Sequence, residues 1–107
     1  MKLTTLALIS SGISVLQIVI GALIGLGYDL LILHGVVGAV LLVLSIIFAM
    51  STKGVERRMS LGNAFLVIAN GIIGAHLNSF LLIVHLIFAL GVLSNFSVMY
   101  GMERGKS

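Results

Sequence analysis

The chain has 107 residues, of which 60% are hydrophobic and 8% charged. Soluble domains carry roughly 25% charged residues, so a soluble globular domain is excluded and the expected solvent is lipid. The absence of cysteine removes disulfides, thiolate metal sites, iron–sulfur clusters and a cysteine nucleophile. A net charge of +3 from six scattered Lys and Arg residues does not make a nucleic-acid surface.

Residues 3–28 contain no charged side chain and predict a first helix over about 3–26. The run follows Lys2 but is longer than the roughly 7–15 apolar residues of a signal peptide, and three more spans follow it. The second uncharged run, 30–52, predicts a helix over about 30–51. The third, 59–102, far exceeds the roughly 20 residues that one crossing needs. It is expected to break at its polar stretch, His76-Leu77-Asn78-Ser79, giving helices over about 59–77 and 80–101.

In this four-span arrangement every basic residue falls on one side. Lys2 precedes the first helix, Lys53, Arg57 and Arg58 lie between the second and third, and Arg104 and Lys106 follow the fourth. The positive-inside rule makes that side cytoplasmic, so both termini are expected inside, in the plasma membrane. Three or five spans would destroy the segregation. Short connections force antiparallel neighbours. The expected fold is therefore all-α: a four-helix transmembrane bundle, up-down-up-down, in one domain.

The two helix pairs resemble each other. Gln17-Ile18-Val19-Ile20-Gly21-Ala22 matches Asn70-Gly71-Ile72-Ile73-Gly74-Ala75, and after a two-residue slip Leu30-Leu31-Ile32-Leu33-His34 matches Leu81-Leu82-Ile83-Val84-His85. Both pairs start inside, so they are parallel repeats about an axis along the membrane normal. His34 and His85 then lie at one depth, about 8 Å below the outer interface, and face each other across the bundle.

No Asp, Glu, Lys or Arg lies within a predicted span, which makes the matched histidines the strongest chemical signal. Neutral imidazole is an axial ligand for haem iron, and bundle cores hold such cofactors between facing helices. Space for a flat macrocycle is expected at Gly38 and Ala89, each four residues after a histidine, and at Gly21, Gly25, Gly71 and Gly74. The competing reading makes His34 and His85 interhelical hydrogen-bond partners and the glycines close-packing positions. Zinc is disfavoured because two histidines are too few for a closed site. Copper is disfavoured because Met50, Met59, Met99 and Met102 all lie near the inner side. His76, at the outer end of the third helix, is either an interfacial residue or a hydrogen-bond donor to a haem propionate or a quinone. Gln17 and Asn70 are expected to bind helices together.

These residues look like the four-helix half-unit of the haem A synthase family. Leu16-Gln17-Ile18-Val19-Ile20-Gly21-Ala22-Leu23 is similar to the family's Leu-Gln-x-x-x-Gly-Ala pattern, and His85-Leu86-Ile87-Phe88-Ala89-Leu90 to its His-Leu-x-x-Ala-Leu pattern. The resemblance implies a haem between His34 and His85. Leu31 stands where the family's catalytic half has a Glu, and Gly35 where an Arg usually follows the histidine. What carries over is therefore the haem-holding scaffold. The expectation is a b-type cytochrome with haem b rather than haem A or haem O. It would relay single electrons, with membrane lipid around it and a quinone or a respiratory-chain protein as partner. The alternative is a half-size haem A synthase-like or quinone-linked oxidoreductase, which goes with a homodimer.

Overall fold

The computed structural model describes residues 1–106. They form four helices: α1 (Leu3–Gly25), α2 (Leu31–Ser51), α3 (Gly54–Gly74) and α4 (Ser79–Gly105), and no strand lies among the described residues. Each helix packs on the next and α4 closes on α1, so α1 and α3 face each other across one diagonal, and α2 and α4 across the other. Exchanging α1–α2 with α3–α4 maps every neighbouring pair onto another. That is what a parallel repeat about the bundle axis requires. The bundle measures 44 × 20 × 18 Å, longer than the roughly 30 Å hydrocarbon layer.

The connections explain the antiparallel order. Gly27, at a φ of 104°, ends α1. It lets Tyr28 N donate to Leu23 O at 3.1 Å and Gly27 N to Ile24 O at 3.0 Å, the paired bonds of a Schellman turn. Asn78 opens α4, its side-chain oxygen accepting from Leu81 N at 2.9 Å. Ser11 of α1 lies beside Ser97 near the far end of α4, their hydroxyls 3.5 Å apart. The two termini therefore share one end of the bundle.

Polarity is inverted relative to a soluble protein. Ser10, Ser14, Ser45, Ser60 and Asn63 are buried, while Leu8, Val19, Ile32, Ile47 and Ile83 are exposed. Lipid tails are as apolar as leucine, so burial does not drive these helices together; close packing and interhelical hydrogen bonds do. Helices α1, α2 and α4 are long and apolar enough to cross a membrane. Helix α3 is set apart by the charges of its first turns, but Leu61, Phe65, Ile68 and Ile72 give it an exposed apolar stripe at spacings of four, three and four.

The dry core fills the half of the bundle that holds the termini. Phe48, Phe96 and Met99 are fully buried there, the two phenyl rings 5.9 Å apart and tilted by 55°. Asn63 joins α3 to α4: its side-chain oxygen accepts from Asn95 Nδ2 at 2.8 Å, and its amide donates to Val92 O. Such interhelical bonds contribute about 0.6 kcal/mol each on average in lipid. An aromatic pair contributes about 0.5–1.5 kcal/mol beyond its area, so neither effect alone holds this end together.

Three boundaries differ from expectation by three residues or more. Helix α3 begins at Gly54 rather than near 59, and α4 runs to Gly105 rather than 101. Their charged ends stay helical because they meet. Lys106 bridges Glu56, which is buried, and Glu103. Glu103 first, then Glu56, hold the Lys106 ammonium above the usual lysine range. Its contribution is therefore complete below that range and disappears only as pH rises through the raised value. The third helix also ends early, at Gly74, which leaves His76 in the turn.

Candidate cofactor site

The other half of the bundle holds a half-open cavity of about 980 Å³, near the upper end of small-molecule sites at roughly 1,000 Å³. His34, in the first turn of α2, and His85, in the second turn of α4, enter it from opposite walls. Their ring centres are 6.3 Å apart and their planes differ by 57°. Two residues 51 positions apart in sequence thus meet across a diagonal whose helix backbones are not in contact.

The glycines explain how the rings fit. A Cβ on Gly21 of α1 would lie 3.3 Å from Cε1 of His34, and one on Gly74 of α3 would lie 3.0 Å from Cε1 of His85. Each ring is thus laid flush against the backbone of the preceding helix by a repeat-related glycine. Nδ1 of both rings is buried without a hydrogen-bond partner. Packing against glycine, not a hydrogen bond, sets the ring orientation.

Gly38 and Ala89 both line the cavity. Gly38 has a second neighbour: a Cβ there would lie 3.2 Å from Nε2 of Gln17. That amide donates to the His34 carbonyl at 2.8 Å. The sequence alone marks Gln17 as a helix-binding residue and does not show its acceptor. The available signal was the absence of a side chain at Gly38, one turn from His34. Asn70, the repeat partner of Gln17, has its side-chain oxygen buried without a partner. Gly35 and Gly71 border the cavity on the α2–α3 side, where an added Cβ would meet nothing. His76 is exposed and is not part of the cavity wall. His76→Ala is therefore expected to leave the site intact, checked by ligand content of the purified variant.

No family model, curated protein or solved structure matches the chain.

The chemistry of the site has to be argued from its donors. Imidazole nitrogens bond transition metals at about 2 Å, so one ion between two opposed rings holds their centres about 6 Å apart. The observed 6.3 Å fits that span. Among the described residues no cluster of three His, Asp or Glu side chains forms. Two imidazoles therefore suit an ion whose other ligands arrive with it. A porphyrin supplies four nitrogens in a plane and needs two axial donors from the protein. The residues present fit that group, and the cavity has the room.

Proposed function

We propose that this protein is a membrane-embedded b-type cytochrome that holds one haem b between His34 and His85 and relays single electrons. The observation that carries the reading is the 6.3 Å separation of two repeat-related rings across a cavity of about 980 Å³. The haem supplies reversible one-electron chemistry. The chain's own residues do the rest. His34 and His85 would hold the group, and their buried Nδ1 atoms leave Nε2 as the donor. Gly21 and Gly74 let both rings lie back against α1 and α3. Leu41 and Val92, buried beside the cavity, would limit the access of water to the group and so tune its potential. The electron donor and acceptor are membrane-bound: a quinone or a respiratory-chain protein.

The basic end of the bundle faces the cytoplasm in this reading, and the membrane is the plasma membrane. Reporter fusions are expected to place both termini inside, and a tag after Tyr28 outside. A C-terminus read as outside would remove a span and separate the histidines.

The test is an absorption spectrum. Detergent-purified protein is expected to show a Soret band, sharp reduced α and β bands of a low-spin haem, and a pyridine haemochrome of haem b. Colourless protein after expression with ample haem would refute the reading. Conversion of haem O to haem A by the purified protein would replace it with the half-size, homodimeric synthase-like enzyme. Leu31, at the wall where that chemistry would want a carboxylate, argues against this outcome.

A further inference from the structure

The two halves of the site are not equivalent. On the α1–α2 side, Gln17 reaches over Gly38 and donates to the His34 carbonyl at 2.8 Å. On the α3–α4 side the corresponding residues are Asn70 and Ala89. Asn70 is one methylene shorter than Gln17. Its amide makes no bond to the His85 carbonyl; the side-chain oxygens of Gln17 and Asn70 are alike in being buried without a partner. Ala89 carries a methyl group where Gly38 has none. An added Cβ at Gly38 would come within 3.2 Å of the Gln17 amide, so a methyl at that position and a long amide opposite compete for the same space. The substitutions are thus matched within each half: long amide with glycine, short amide with alanine.

The difference bears on the histidines directly. Each ring lies against a glycine of the preceding helix and lacks a hydrogen bond at Nδ1. The two ligands differ at the backbone. That of His34 is tied to the neighbouring helix at its own carbonyl. That of His85 is not; the nearest side-chain tie between α3 and α4 is two turns deeper, where Asn63 meets Val92 and Asn95.

We propose that Gln17 and Gly38 make His34 the permanent axial ligand, while Asn70 and Ala89 leave His85 exchangeable, so that the reduced site takes up a small neutral π-acceptor ligand in place of His85. This rests on the haem reading above. In the exchange the bond between iron and His85 breaks, the bond to the incoming ligand forms, and the released imidazole stays neutral. Gln17 acts as a positioning residue: it touches His34, not the cofactor.

Carbon monoxide is the probe, added to dithionite-reduced, haem-loaded protein and followed through the Soret band. Wild type is expected to convert fully to a carbonyl form. The double variant Asn70→Gln/Ala89→Gly gives the second half the chemistry of the first. It is expected to lower carbon monoxide affinity about threefold to tenfold, which is what one interhelical hydrogen bond in lipid supplies. Gln17→Leu removes the bond to the His34 carbonyl and is expected to raise affinity, because His34 then exchanges as well. His85→Ala is expected to retain a high-spin haem that binds carbon monoxide without competition. A wild-type six-coordinate haem indifferent to carbon monoxide overturns the proposal and leaves the cytochrome standing. The same holds if His34→Ala is the variant that keeps haem and binds carbon monoxide. Protein without haem overturns both.

Discussion

His34→Ala and His85→Ala are both expected to abolish the six-coordinate low-spin spectrum. Each removes one of two donors whose ring centres lie 6.3 Å apart, and among the described residues no cluster of further His, Asp or Glu stands by to replace it. The loss exceeds what a supporting residue would cause. Removing a hydrogen-bond partner of a metal ligand typically costs 10–100-fold in affinity, so removal of His34 itself is expected to reduce haem affinity by at least about 100-fold. Haem content per polypeptide, from the pyridine haemochrome, measures it. His85→Ala is expected to keep more haem than His34→Ala, because the His34 backbone is pinned by Gln17. Circular dichroism controls for folding: backbone hydrogen bonds in lipid stay within each helix, so both variants should remain helical. If His76→Ala bleached the protein while His34→Ala and His85→Ala stayed red, the ligands would have been misassigned, since His76 is exposed in the α3–α4 turn.

The sequence made the bundle legible because its main signals are one-dimensional. Uncharged runs mark spans, and the side on which Lys and Arg fall marks topology. The repeat placed His34 and His85 at matching positions, and the structure brings their rings together. Other features depend on contacts between distant residues and left weaker traces. The charges at Glu56, Arg57 and Arg58 looked like a loop by hydropathy. They are helical: Lys106, fifty residues on from Glu56, bridges it, and Arg57 Nε donates to the Ala49 carbonyl at the end of α2. Gly38 was legible as a place without a side chain, but not as a seat for an amide. That assignment needs the register between α1 and α2, which hydrophobic pattern alone does not set. The sequence marks Gly21 and Gly74 only as general space, and the structure gives them a specific neighbour each, the ring of one histidine.

Gly74→Leu is expected to empty the site while leaving the bundle inserted and helical. A Cβ at position 74 would lie 3.0 Å from Cε1, 3.6 Å from Nδ1 and 3.7 Å from Nε2 of His85. The whole edge of the ring is in the way, and the leucine side chain extends beyond Cβ. The ring can move only by turning about its own side-chain bonds, off the line that joins it to His34. Gly21 offers a built-in comparison. The same added Cβ lies 3.3 Å from Cε1 of His34 and 3.8 Å from Nε2, so Gly21→Ala needs only a small shift, and Gly74→Ala a larger one. The expected order of haem loss is therefore Gly74→Leu, then Gly74→Ala, then Gly21→Ala. A pure helix-packing role predicts a different pattern. Gly71, exposed and with nothing near its missing Cβ, lies on the same helix at the cavity wall. Substituting it with alanine should leave haem content unchanged if the glycines act through the histidine rings. Equal loss at positions 71 and 74, with or without loss of helicity, would mean that the small residues of α3 serve its packing against other helices, and that His85 is not held against Gly74 when the cofactor is bound.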